Sequence, residues 1–171
     1  VTNQMNTGKD IFPWVVMSAG DSHLMVAEAI VKGLASGDAQ SHYQTGIRKS
    51  MELWTVPAGE IDDFLANEDM AQLTGSVDEQ LEKIATQRWI ANFTNGFESW
   101  AIVRDTGYPA ALHQGVSDPE LHALGTTLNG AYPERMRYGN SVYGTNGDNV
   151  AASNSAQGPD VQGRKLWWPK Q

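Results

Sequence analysis

The chain has 171 residues, 40% of them hydrophobic, with a formal net charge of −8 and no cysteine. This is enough apolar material for a buried core and reads as globular rather than disordered, and the lack of cysteine excludes disulfides, thiolate metal sites and thiol catalysis. The negative charge argues against nucleic acid, whose phosphates demand basic patches, and no run approaches the roughly 18 apolar residues of a membrane-crossing helix.

Residues 1–13 are polar and irregular. Leu24, Ala27, Val31 and Leu34 recur at helical spacing and predict a helix over 21–36. Met25, Val26 and Ile30 occupy its other faces, so the helix is expected to be buried on most sides. Ser36-Gly37-Asp38 supplies a C-terminal glycine and the N-cap of a second helix over 39–56. Its inner stripe is Ala39, Tyr43, Ile47, Met51 and Trp54, and Pro57 and Gly59 end it. The pair forms a helical hairpin loosely similar to one tetratricopeptide (TPR) unit, which cannot bury both its faces alone. Residues 60–73 predict a third, short helix with Ile61, Phe64 and Leu65 turned inward.

Ser76-Val77-Asp78-Glu79 fits a capping box, with Ser at the N-cap and Glu three residues on. From there one long helix is predicted over 76–107, stopped by Gly107. Val77, Leu81, Ile84, Ala91 and Ile102 form one apolar stripe, and Trp89, Phe93, Phe97 and Trp100 form a second. The helix therefore starts half exposed, dives into a core, and needs a large partner surface. Beyond Pro109 the character changes: residues 125–163 hold seven Gly and five Asn with little periodicity, which reads as long structured loop.

Few motifs point to chemistry. His23, His42, His113 and His122 lack H-x-x-x-H spacing and read as ordinary surface or core histidines. No nucleophile elbow, phosphate loop or dinucleotide fingerprint is present. Glu98, amid Phe97 and Trp100, has two readings: a catalytic acid with a raised pKa, or an ion-pair anchor for the helix end, with Arg104 or loop backbone as its partner. The anchor is the favoured one. Asn146-Gly147-Asp148-Asn149 is read as turn chemistry rather than a calcium loop. Six tryptophans invite a carbohydrate reading, because sugar C–H faces stack on aromatic rings. Trp89 and Trp100 are assigned to the core, and Trp167 and Trp168 to stapling the C-terminus. Trp14, Trp54, Tyr132 and Tyr143, at segment ends or beside loops, are the candidate ligand contacts.

Three stretches carry a family likeness. Gln87-Arg88-Trp89-Ile90-Ala91, Phe97-Glu98-x-Trp100 and Arg104-Asp105-Thr106-Gly107-Tyr108-Pro109 resemble the signature helix of SusD/RagB-type proteins, nutrient-binding lipoproteins of the Bacteroidetes outer membrane. Asp105 stands where the family usually has a second arginine. Ala27-Glu28-Ala29, Gly33, Tyr43 and Gly46-Ile47 are similar to the same family's hairpin, and Arg164-Lys165-Leu166-Trp167-Trp168-Pro169 to its ending.

The resemblance implies a mainly α fold: a TPR-like hairpin and short helix over 1–75, a buried signature helix over 76–107, and long irregular loops over 108–171. It implies an architectural role for Trp89, Phe97, Glu98, Trp100, Arg104, Gly107, Pro109, Trp167 and Trp168. It also implies non-catalytic capture of an oligosaccharide or peptide, handed to a SusC-like TonB-dependent transporter; the residues themselves point to no cofactor and no metal. The chain then reads as the C-terminal part of a surface lipoprotein, anchored through an N-terminal Cys absent here, with the missing N-terminal part as packing partner. A TPR-type protein–protein scaffold is the alternative. A hydrolase comes third, and a buried carboxylate pair across a cleft would revive it.

Overall fold

The computed structural model describes residues 15–113 and 132–166. Their elements are α1 (Ala19–Val31), α2 (Ala39–Leu53), α3 (Ala58–Asn67), a 3-10 turn (Asp69–Ala71), α4 (Val77–Ala91), α5 (Gly96–Thr106), α6 (Ala110–His113) and α7 (Asn140–Gln157). Among the described residues there is no strand, so the mainly α class holds. The chain divides into two compact units, Val1–Ser99 and Trp100–Gln171, the division falling inside α5.

In the first unit, Ser18 caps α1 by accepting a hydrogen bond from the Asp21 amide at 3.0 Å. The helix stops at Gly33, not Gly37. Gly33 adopts φ 71°, its N–H donates to Ile30 O, and Leu34 N–H donates to Ala29 O at 2.8 Å. This is a Schellman ending, which a residue without Cβ adopts at little cost. Leu34 is left outside the helix and exposed. Nor is α1 buried on most sides: Gly20, Asp21, Leu24 and Ala27 are buried, while Met25 and Val26 are exposed.

α1 and α2 run antiparallel and touch backbone to backbone. A Cβ on Gly20 would lie 2.9 Å from Gly46 O and 3.0 Å from Ser50 N, and one on Gly46 would lie 2.7 Å from Leu24 Cγ. Beside this crossing the core gathers Leu24, Ala27, Tyr43, Ile47, Ile61, Leu65, Ala71, Ile84 and Ala91. Tyr43 is fully buried, and its hydroxyl donates to Met70 O at 2.6 Å. Burial pushes that hydroxyl far above the usual tyrosine range. α2 ends three residues earlier than the stripe predicts. Thr55 takes a left-handed φ of 59°, and Val56 N–H donates back to Met51 O at 3.1 Å.

The capping box at Ser76 forms in both directions: Glu79 N–H donates to Ser76 Oγ, and Ser76 N–H donates to Glu79 Oε2 at 2.7 Å. The single helix over 76–107 does not form. α4 ends at Ala91 and α5 begins at Gly96. Asn95 Oδ1 accepts the Glu98 N–H at 3.3 Å, as an N-cap does, and Ser99 Oγ donates to Asn92 O at 2.7 Å. Short polar side chains that bond neighbouring backbone compete with helix propagation, and Thr94-Asn95-Gly96 supplies that chemistry. With the break, the aromatic stripe loses its buried register. Phe93 and Phe97 are 58% and 73% exposed, while Trp89 and Trp100 stay half-buried.

In the second unit, Ile102 and Val103 are buried on α5. The helix stops at Gly107, φ 75°, whose N–H donates to Val103 O at 2.8 Å. The region read as loop contains the 18-residue α7, kinked at Asn146 with φ −144° and ψ 35°. Asn146-Gly147-Asp148-Asn149 therefore lies inside a kinked helix rather than forming a turn between elements. Only Val150 of α7 is buried, so no apolar period advertises the helix.

The close crossing yields a test. Gly20→Ala should cost about 1–3 kcal/mol in urea unfolding, because the new Cβ has to push backbone aside. Gly59→Ala, whose Cβ would meet nothing within 4 Å, should be neutral or stabilising by up to about 1 kcal/mol, since alanine is the better helix former.

Candidate functional site

The first unit is tied by one guanidinium. Arg88 on α4 places Nε 2.9 Å from Asp21 Oδ1, Nη1 3.0 Å from Glu28 Oε2 and Nη2 3.6 Å from Glu98 Oε1. The arginine side chain is 12% exposed, Asp21 8% and Glu28 18%. Burial alone would lower the Arg88 pKa. The hydrogen bonds and charges of Asp21 and Glu28 outweigh burial and raise it. Glu98 is thus an ion-pair anchor, but its partner is Arg88 rather than Arg104, and it is 44% exposed. The helix break explains the switch, because α5 starts anew beside the C-terminal end of α4. Asp21, Glu28 and Glu98 converge on one cation and do not face each other across a cleft, which is not the carboxylate arrangement a glycosidase uses.

Next to this clamp lies an aromatic turn. Trp54, in the α2 ending, packs on Phe93 with ring centroids 4.7 Å apart and planes tilted by 54°. Trp54 is half-buried and Phe93 exposes most of its ring. Phe97 is on the same turn, and Asn92 and Asn95 flank Phe93 in sequence. Asn92 Nδ2 donates to Arg88 O at 3.0 Å, while Asn95 Oδ1 accepts the Glu98 amide. The remaining Asn92 Oδ1 and Asn95 amino group have no partner among the described residues. An exposed ring backed by an indole can hold a flat apolar face, and Asn92 and Asn95 bring one amide acceptor and one amide donor into the same short segment.

The unit also carries two depressions. One, of about 610 Å³, is lined by Val15, Val16, Met17, Lys49, Glu52 and Leu53, together with Ser18 and Ala19. The other, of about 300 Å³, is polar, with Asp38, Gln40, Ser41, Gln44, Thr45, Arg48 and Leu65. Gln40 and Gln44 there are engaged with residues 65–73: Gln40 Oε1 accepts the Leu73 N–H at 2.6 Å, and Gln44 Nε2 donates to Leu65 O at 3.3 Å. This polar wall is therefore occupied in holding the fold.

The second unit has its own two clusters. Trp100 Nε1 donates to Pro133 O at 2.6 Å, Arg104 lies 4.6 Å over the Trp100 ring and donates to Glu134 O, and Tyr132 OH donates to Trp100 O at 3.4 Å. The buried Asp160 carboxylate accepts from Tyr143 OH at 2.5 Å and Tyr138 N–H at 3.1 Å, and pairs with Arg135 at 3.0 Å. Burial alone would raise its pKa. The Tyr143 and Tyr138 hydrogen bonds, with the charges of Arg135 and Arg137, outweigh that and hold it below the usual carboxylate value.

Of the sequence-predicted contacts, Trp54 joins an exposed aromatic pair. Tyr132 and Tyr143 lie in the other unit with their hydroxyls engaged internally. Trp14, Trp167 and Trp168 are outside the described residues. Trp100, Arg104 and Gly107 anchor or end local structure, and Pro109 O accepts the Leu112 N–H that starts α6. Sequence reading missed the exposure of Phe93 and Phe97, whose signal was Thr-Asn-Gly, and the hub role of Asp160, which had none.

A SusD-like family model, described as starch-binding and associating with the outer membrane, matches residues 1–139. The chain belongs to this family. Among solved structures it is similar to a SusD-like protein of Bacteroidetes, at 26% identity and TM-score 0.76, covering 91% of this chain and 30% of that one. A SusD homologue from Bacteroides uniformis shares 30% identity with TM-score 0.74, over 91% of this chain and 37% of its own. A chitin-binding SusD homologue from Flavobacterium johnsoniae shares 26% with TM-score 0.70, over 91% and 36%. The chain thus spans 30% to 37% of the length of these three structures. Comparison with curated proteins gives no match.

The Asp160 cluster predicts an acid response. A carboxylate held below its ordinary 3.8 stabilises the folded form above that pH, and the contribution is lost as pH falls through the folded value. The hydrogen-exchange protection factor of the Tyr138 amide should therefore fall only as pH drops below 3.8 and on through the lower folded value, and Asp160→Asn should abolish that dependence.

Proposed function

We propose that the chain is part of a non-catalytic cell-surface protein that captures a starch- or chitin-type oligosaccharide at the outer membrane and passes it to a SusC-like TonB-dependent transporter. Membership of the SusD-like family supports the class. A solved relative named as chitin-binding supports a glycan as the ligand. The observation that carries the reading on this chain is the Trp54–Phe93 pair with its exposed outer ring.

A pyranose C–H face stacks on Phe93, and the free amide groups of Asn92 and Asn95 meet its hydroxyls. No bond is broken; the work is binding and handover. Tyr143, partly exposed in the other unit, is a secondary stacking candidate. Anchoring is by a lipid on an N-terminal cysteine outside this chain.

One observation favours a second reading, a TPR-type surface for an apolar protein partner. Val16 and Met17 are 80% and 73% exposed on the rim of the larger depression. The two readings differ in which surface responds to which ligand.

Isothermal titration with malto- and chito-oligosaccharides should show micromolar-to-millimolar binding to one series. Phe93→Ala should weaken it about 5- to 15-fold, the worth of one stacking contact of about 1–1.5 kcal/mol, with the far-UV circular dichroism unchanged. Absence of binding to both series, or parent-like affinity in Phe93→Ala, contradicts the glycan reading at this surface.

A further inference from the structure

We propose that His23 on α1 and His42 on α2 form a two-nitrogen site for a divalent transition metal of the copper(II) or nickel(II) type. Their Nδ1 atoms lie 3.0 Å apart, with ring centroids at 5.2 Å and planes inclined by 35°. Both rings are half-buried, so an ion can reach them from solvent.

The geometry is pre-set by helix packing. His23 is one turn beyond Gly20 and His42 one turn before Gly46, on helices whose backbones touch at those glycines. The bite therefore depends on two rigid elements rather than on a loop, the arrangement that makes chelation favourable.

The spacing, set in the metal-free pair by a hydrogen bond, lies nearer one coordination geometry than another. With metal–imidazole bonds of about 2.0–2.1 Å, donors 3.0 Å apart subtend about 90–97°. That suits the square-planar or tetragonal coordination of copper(II) and nickel(II). Tetrahedral zinc would want the two nitrogens about 3.3–3.4 Å apart. Among the described residues no group of three or more His, Cys, Asp and Glu side chains is placed to hold a metal ion, so water or another exogenous oxygen donor completes the coordination shell at this pair. The chain's net charge of −8 favours cation approach.

The proton inventory balances. In the metal-free pair one Nδ1 carries the hydrogen that the other accepts. Binding requires both Nδ1 lone pairs, so the donor ring shifts its proton to Nε2 through solvent. Two neutral rings therefore bind the ion without net proton release. The site is separate from the aromatic turn and does not depend on the glycan reading.

The test is a titration of the tag-free 171-residue chain with copper(II), read by calorimetry and by electron paramagnetic resonance. The expected result is one site of micromolar affinity with hyperfine structure from two nitrogens. His23→Gln and His42→Gln should each weaken it at least tenfold with the circular dichroism retained, and the His113→Gln/His122→Gln double variant should bind as the parent does. A loss of less than tenfold in either single variant, or a parent spectrum without two coordinated nitrogens, overturns the proposal. Should either glutamine variant unfold, the parent spectrum and the His113/His122 double variant decide by the same criteria.

Discussion

The first unit depends on Arg88. Its guanidinium gathers Asp21 and Glu28 from α1 and Glu98 from the start of α5. Its backbone carbonyl accepts both the Asn92 N–H, at 3.1 Å, and the Asn92 side-chain amide. One residue thus holds the hairpin to α4 and also closes α4 where the aromatic turn begins. Removing one ion from an enclosed cluster of this kind costs about 3–5 kcal/mol, because the partners keep their buried charge without a counterion. Lysine is a poor substitute, since its three donors sit on one compact nitrogen and cannot span carboxylates spread around a planar guanidinium.

That clamp turns a family signature into a local geometry. Trp89 and Trp100 sit half-buried on either side of the break, while Phe93 and Phe97 between them are turned to solvent. The signature is therefore architectural at its ends and chemically open in its middle. In the second unit, Trp100, Arg104 and Asp160 bond backbone carbonyls and amides of residues 132–166. These bonds act beside an 18-residue helix that buries one side chain, Val150.

Several local signals were legible where side chain and backbone act within four residues. The Ser76 capping box, the Asp38 cap and the Gly107 stop are all where the sequence places them. The Tyr43–Ile47 core stripe and the inward Ile61 and Leu65 also follow from spacing alone. The Schellman glycine was misplaced because Gly33 and Gly37 both qualify, and only tertiary packing chooses between them. The long helix was over-read because apolar periodicity ran straight through Thr94-Asn95-Gly96, where cap chemistry wins. α7 was invisible because its residues are poor helix formers with no apolar face. The likeness to SusD-type proteins was legible because its motifs are dense in Trp, Gly and Pro, each fixing a distinct local feature. The candidate site was only half legible: Trp54 reads as a ligand contact, but its partner Phe93 reads as part of the long helix's aromatic stripe, and the His23–His42 meeting spans nineteen residues with no sequence spacing to mark it.

The central claim is that the turn clamped by Arg88 presents Phe93, backed by Trp54, to a sugar. Amide and indole resonances of the isotope-labelled chain, followed during titration with the oligosaccharide series that binds, test it most directly. The account predicts that the largest shift changes fall on the Trp54 indole and on the amides of residues 92–97. Unchanged signals there, with the shifts concentrated at Tyr132 and Tyr143 instead, would contradict it.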